Sequence, residues 1–122
     1  METRHRVAVG DARRLGGIDD NAVELVVTSP PYPMIELWDD VFTDLDPAVG
    51  DALDAGDGSA AFDLMHGVLD DVWAEVERVL VDGGVACVNV GDATRSLDGS
   101  FRVYQNHARV VESFAALGFD PL

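Results

Sequence analysis

An α/β fold with a mostly parallel sheet flanked by helices is what this sequence predicts, and two observations carry the prediction. The apolar runs Val23–Thr28 and Val85–Val90 are continuous rather than alternating, the pattern of strands covered on both faces. A long excursion with helical spacing separates them, and another helical segment follows. That order of elements suits right-handed parallel crossovers in a doubly wound sheet.

Taken in order, His5 to Val9 alternates, carries β-branched residues and reads as a short strand ending at Gly10-Asp11-Ala12-Arg13. Leu15 to Asp20 is a turn or short helical link. Val23 to Thr28 is the second strand, and it stops at Ser29-Pro30-Pro31-Tyr32-Pro33. Consecutive prolines have fixed φ and no N–H, so they can neither extend a ladder nor enter a helix interior. The chain must form a rigid elbow there. Met34 to Leu45 places Ile35, Leu37, Trp38, Val41, Phe42 and Leu45 at helical spacing. Asp46 to Ser59 is rich in Asp and Gly and reads as a solvated loop. Ala60 to Val81 is the longest helix, started by Ser59 with Asp63 and ended by Gly83-Gly84. Val85 to Val90 is a third buried strand closing at Gly91-Asp92. Arg102 to Tyr104 is a short extended piece, Asn106 to Leu117 a final helix stopped by Gly118, and Phe119 opens another strand.

The 122 residues suit one compact domain, and 48% hydrophobic content suffices for a core. No apolar run is long enough to span a bilayer, and Met1 to Arg6 lacks the apolar stretch of a signal peptide. A cytoplasmic protein is the expectation, with no membrane partner. The single Cys87 excludes an internal disulfide and reads as a buried small hydrophobe. His5, His66 and His107 stand far apart without ligand spacing, so no metal site is expected. There are 23 acidic residues against 8 basic ones, a net charge of −15, and every basic residue is Arg. Such a surface repels a phosphate backbone in ordinary salt. Either nucleic acid is not the partner, or the protein works in molar salt, where screening lengths shrink to about 3 Å. Asp-rich, Lys-free surfaces resemble those of extreme halophiles, and the charge is read as describing the solvent.

Thr28-Ser29-Pro30-Pro31-Tyr32 resembles the catalytic motif of DNA amino-methyltransferases, the cytosine-N4 and adenine-N6 family. The serine form resembles the cytosine-N4 branch more than the adenine-N6 branch. The resemblance implies a partial Rossmann-like class I methyltransferase fold. It implies S-adenosyl-L-methionine as cofactor and double-stranded DNA with a flipped base as substrate, in a restriction-modification setting. It also implies catalytic roles for Ser29, Pro30, Pro31 and Tyr32. An exocyclic amine is a poor nucleophile because its lone pair is delocalised into the ring. Two acceptors, the Ser29 oxygen and the Pro30 carbonyl, could hold its N–H bonds and aim the lone pair at a methyl donor. Tyr32 would stack on the flipped base, a contact worth about 1–3 kcal/mol.

Gly-Asp-Ala-Arg ahead of the motif occurs in the same family, which implies that Asp11 accepts from the cofactor; the alternative is a turn residue that caps the next segment. Trp38 lies in Pro33–Asp40, which resembles the sequence following this motif in some microbial enzymes, and would help wall the base pocket or else pack in the core. Asn89 and Asp92 either border the same crevice or form a simple turn. Asn106-His107-Ala108-Arg109 opens a helix that either faces phosphate or is solvated.

The family's Gly-rich cofactor segment, of the F-x-G-x-G type, does not occur in these residues, and no basic target-recognition segment does either. The resemblance fits the first part of a circularly arranged branch, in which the Gly-rich motif comes late. Residues 1–122 are therefore expected to be the N-terminal portion of a methyltransferase catalytic domain, with a missing C-terminal half or another subunit as partner. Two competing functions remain open at this stage: a methyltransferase acting on RNA or on a protein glutamine amide, and an inactive remnant or assembly module.

Overall fold

The computed structural model describes residues 1–122. Its elements are β1 (Val23–Thr28), a 3-10 turn (Glu36–Trp38), α1 (Asp39–Leu45), α2 (Pro47–Asp54), α3 (Gly58–Val79), β2 (Leu80–Val88), β3 (Ala93–Leu97), β4 (Ser100–Tyr104) and α4 (Asn106–Ala116). β1 and β2 pair in parallel, with Leu25 opposite Val85, Val26 opposite Ala86, Val27 opposite Cys87 and Thr28 opposite Val88. Pairing is irregular between Val23 and Leu25, opposite the Asp82-Gly83-Gly84 segment. The three α-helices between β1 and β2 form the crossover that a parallel pair requires.

α3 is the organising element. Asp57 caps it, its Oδ1 accepting from the Ala60 amide at 3.0 Å. Ala61, Met65, Val68, Leu69, Trp73 and Val76 face inward and belong to one core with Met34, Phe42, Val49, Ala93, Tyr104, Val110 and Phe114. Trp73 is fully buried with its ring 5.0 Å from Phe114. Truncating such a residue to alanine costs about 3–5 kcal/mol.

β3 and β4 form an antiparallel hairpin with Leu97 opposite Ser100. Its turn residues Asp98 and Gly99 have φ of 49° and 75°, the pair of positive values a type I′ turn needs. Arg95 on β3 reaches back to α1, donating to both Asp39 carboxylate oxygens at 2.8 and 2.7 Å. That bidentate pair ties the hairpin to the segment following β1.

Several sequence expectations need correction. His5–Val9 forms no strand: no neighbour offers it a ladder, and Val7 and Val9 are exposed. β1 and β2 are not covered on both faces. Leu25, Val27, Val85 and Cys87 share an open face, so Cys87 is exposed rather than buried. Residues 46–59 are not one loop. Asp46 caps α2 by accepting from Ala48, Pro47 occupies the first turn without loss of a bond, and Val49 and Ala52 are buried. β2 begins at Leu80 rather than Val85, and α3 at Gly58 rather than Ala60. Only the latter part of Met34–Leu45 is α-helical, because Met34 has a φ of 67°. Phe119 starts no strand; its ring packs edge-on against Phe114 at 5.0 Å.

Candidate active site at the proline elbow

The two parallel strands end together. The Asn89 amide donates to the Thr28 carbonyl at 2.9 Å, so Ser29 and Asn89 leave the sheet side by side at its carboxyl edge. In open α/β sheets that edge is where ligands bind. Ser29 is exposed, Pro30, Pro31 and Tyr32 are half-buried, and Pro33 and Met34 are buried. The elbow thus carries its polar end outward on an anchored base.

Ser29 Oγ stands 3.5 Å from Tyr32 Oη. At that length the contact is weak, and the serine oxygen keeps acceptor capacity for another donor. The Pro30 carbonyl receives no hydrogen bond from the chain. Ser29 Oγ and the Tyr32 hydroxyl thus meet at one corner, next in sequence to an unoccupied Pro30 carbonyl, and none of them carries a charge. Tyr32 is backed by Gly91, where a β-carbon would lie 3.3 Å from ring atom Cε2. A side chain at 91 would press on the ring.

The base of the elbow is held backbone group by backbone group. The Tyr32 carbonyl accepts from Ile35 at 3.2 Å, and the Pro33 carbonyl accepts from the Asn106 side chain at 2.9 Å. The Met34 amide donates to Met65 Sδ at 3.2 Å, and the Met34 carbonyl accepts from Arg95 at 3.5 Å. A buried non-glycine residue at positive φ persists only where its surroundings enforce it, and such residues cluster at functional sites. Asn106, Met34 and Gly91 each lie in a segment that the sequence picks out, but nothing in the sequence gives any of them a role of its own.

The other predicted positions fall as follows. Asp11 is exposed and held by Arg13, whose backbone N–H donates at 2.9 Å and whose side chain donates at 2.7 to 3.2 Å. The Arg13 side-chain bonds keep its carboxyl at about 2, well below the usual carboxylate range. It makes no hydrogen bond to the elbow. Trp38 is half-buried and packs against the main core. Asp92 accepts from the His107 ring at 2.7 Å and from the His107 amide at 3.2 Å. Those bonds hold its carboxyl low and make it a cap for α4. Arg109 binds Asp70 at 2.8 Å and so faces α3. A concavity of about 520 Å³ lies away from the elbow, where Arg78 bonds Glu75, Asp20 and the carbonyls of Leu15 and Ile18. Arg13, Asp20, Glu75 and Arg78 in its lining are already paired, and the elbow is the better candidate on chemistry.

Residues 23–116 match the profile of the N6/N4 methyltransferase family, described as DNA methylase. The type II methyltransferase M.MjaI of Methanocaldococcus jannaschii is 44% identical over 130 residues, covering 98% of this chain and 43% of the relative. M.MthZI of Methanothermobacter thermautotrophicus, also a type II methyltransferase, is 42% identical over 123 residues, covering all of this chain and 35% of the relative. Among solved structures, TTHA0409 of Thermus thermophilus, assigned as a DNA modification methylase, superposes with a TM-score of 0.69. It is 33% identical and covers 98% of this chain and 42% of its own. The same protein complexed with S-adenosyl-L-methionine gives 0.66 at 34% identity, covering 93% and 41% of the two chains. The chain thus spans less than half the length of these relatives. With the elbow at the sheet edge and the family profile running from β1 through α4, this chain belongs to the DNA methylase family.

Proposed function

We propose that this chain carries the base-gripping part of a DNA methyltransferase that modifies the exocyclic N4 of cytosine, with S-adenosyl-L-methionine as methyl donor. The observation that carries the reading is the approach of Ser29 Oγ to Tyr32 Oη beside a Pro30 carbonyl that no chain donor occupies. An amine at this corner would donate one N–H to Ser29 and the other to Pro30, leaving the nitrogen lone pair directed away from both. Tyr32 would stack on the base once it leaves the duplex. Positioning of this kind supplies much of a methyl-transfer barrier reduction without a strong base. The residues present fit part of the donor: Asp11 is an ionised acceptor suited to an amino group or hydroxyl, though Arg13 now holds both its oxygens. When bound, the sulfonium supplies an electrophilic methyl carbon to the amine. DNA as partner rests on the description of the family, DNA methylase, and the double-stranded form with a flipped base is our proposal.

The deciding experiment incubates a complete enzyme that contains these residues with DNA and labelled S-adenosyl-L-methionine, then digests the DNA to nucleosides. N4-methylcytosine is expected. N6-methyladenine would move the specificity to the other branch, and 5-methylcytosine alone, or no methylated base, would refute the reading. Ser29→Ala and Tyr32→Ala should each lower turnover by at least about tenfold, the loss of one well-placed transition-state contact. Their stabilities should stay within about 1 kcal/mol, as expected where no large buried group is lost.

A further inference from the structure

Asn106 is the first residue of α4 and is completely buried, yet it touches no part of the open corner. Both protons of its carboxamide are used. Nδ2 donates to the Pro33 carbonyl at 2.9 Å and to the Gly91 carbonyl at 3.0 Å. Its oxygen pairs with His66 Nε2 at 2.9 Å. The opposite amide orientation would set an oxygen against two carbonyl oxygens, so chemistry fixes this one. His66 Nε2 must then carry the proton. Its Nδ1 is buried without a partner, which suits a neutral ring.

The two carbonyls that Asn106 holds flank Tyr32. Pro33 follows it in the chain, and Gly91 backs its ring. Pro30, Pro31 and Pro33 supply no N–H, so the elbow has little means of locking itself through its own amides. Its restraint has to come from donors that reach its carbonyls. Asn106 is such a donor, and it joins the elbow after β1 to the loop after β2 through a single side chain.

We propose that Asn106 is a positioning residue: by clamping the Pro33 and Gly91 carbonyls together it fixes the Tyr32 ring against Gly91 and in register with Ser29. His66 in turn fixes the carboxamide. The catalytic consequence rests on the elbow gripping the target amine, but the clamp itself does not. A leucine, similarly branched but larger, would leave both carbonyls without donors.

The test uses the full chain labelled with nitrogen-15. In the unsubstituted protein, both Asn106 Nδ2 protons should exchange at least about 100-fold more slowly than those of a free carboxamide, as buried bonded protons do. In Asn106→Asp, the Met34 and Ile35 amides should exchange about tenfold faster or more, the equivalent of one lost hydrogen bond. Leu69 to Trp73 in α3 should stay within about twofold if no global loosening occurs. For methyl transfer by the complete enzyme carrying the same substitution, kcat should fall about 100-fold, the effect of a misplaced reacting group, while KM for DNA moves little. Equal acceleration in α3 and the elbow, unchanged elbow amides, or a change confined to KM would each overturn the proposal. Should Asn106→Asp fail to fold, the unsubstituted protein decides: carboxamide protons exchanging at the free rate sink the clamp. If the complete enzyme that contains these residues transfers no methyl group, the functional reading fails and the exchange measurements still judge Asn106.

Discussion

The Ser29 hydroxyl stands 3.5 Å from the Tyr32 hydroxyl across a turn whose two intervening residues are both proline. Three residues of separation normally leave side chains free to diverge. Here fixed φ values hold an acceptor and an aromatic ring on one side of the sheet edge. Tyr32 is further confined by Gly91 behind it.

That confinement makes Gly91→Ala informative. The added β-carbon would lie 3.3 Å from Tyr32 Cε2, so the ring must yield by a few tenths of an ångström. Methyl transfer should fall about three- to tenfold, a smaller loss than a full 1 Å misplacement causes. Turnover measured alongside the Tyr32 ring resonances checks this, and a shifted ring with unchanged turnover would separate Tyr32 from the chemistry.

Met34 sets strain against burial. Its φ of 67° disfavours any side chain, and replacement by glycine relieves about 1–2 kcal/mol. The side chain is also 1% exposed, and deleting a buried methionine costs about 2–5 kcal/mol. Burial wins, so Met34→Gly should be destabilised by up to about 4 kcal/mol net. A urea midpoint above that of the unsubstituted protein would reverse the ranking.

His66 predicts a pH dependence with a definite sign. Burial is the main cause that lowers its folded pKa below 6.5; Asn106 and the acids Asp63 and Asp70 oppose the shift, and Arg109 adds to it. Between the folded value and 6.5 the unfolded chain binds more protons, so stability rises with pH through that window and is complete above it. Urea midpoints measured from pH 7 to pH 5 should fall, and His66→Gln should flatten the slope. Gln retains a donor for Asn106, while His5 and His107 are common to both proteins and cancel in the difference. An identical slope in the variant would remove His66 as the source.

Salt should stabilise the fold. Six of the 23 acidic side chains take part in ion pairs, with Arg13, Arg78, Arg95, Arg109 and His107. The others repel one another over a screening length of about 10 Å at 0.1 M, which shrinks to about 3 Å at 1 M. Weak exposed pairs lose less than this repulsion does. The melting temperature should climb between 0.1 and 2 M KCl, and a fall would contradict the halophilic reading of the charge.

How much was legible beforehand follows from where each signal resides. β1, the elbow, α3 and α4 lie in contiguous patterns of apolar residues and prolines, and the sequence reading placed all four. α2 and the hairpin also had local signals, Asp46-Pro47 and Asp98-Gly99. The first was masked by the surrounding Asp and Gly, which suggested loop, and of the hairpin only Arg102 to Tyr104 was read as extended. Cys87 was misplaced in the core, because a continuous apolar run looks the same whether one face or two are covered. Asn106 was the hardest to see. Its partners Gly91, His66 and Pro33 are 15, 40 and 73 residues away, and a buried asparagine at a helix start reads like an exposed one.

The open face of β1 and β2 sets Cys87 beside Val27, with Leu25 and Val85 as the next rung. A lone thiol in the middle of a greasy patch is both a hazard and a handle. A thiol on that open surface is within reach of oxidation and of a second copy's thiol, so purification calls for reductant. For the same reason a maleimide dye at this position would brighten when anything lies down upon the sheet, making a chemical nuisance into a gauge of assembly.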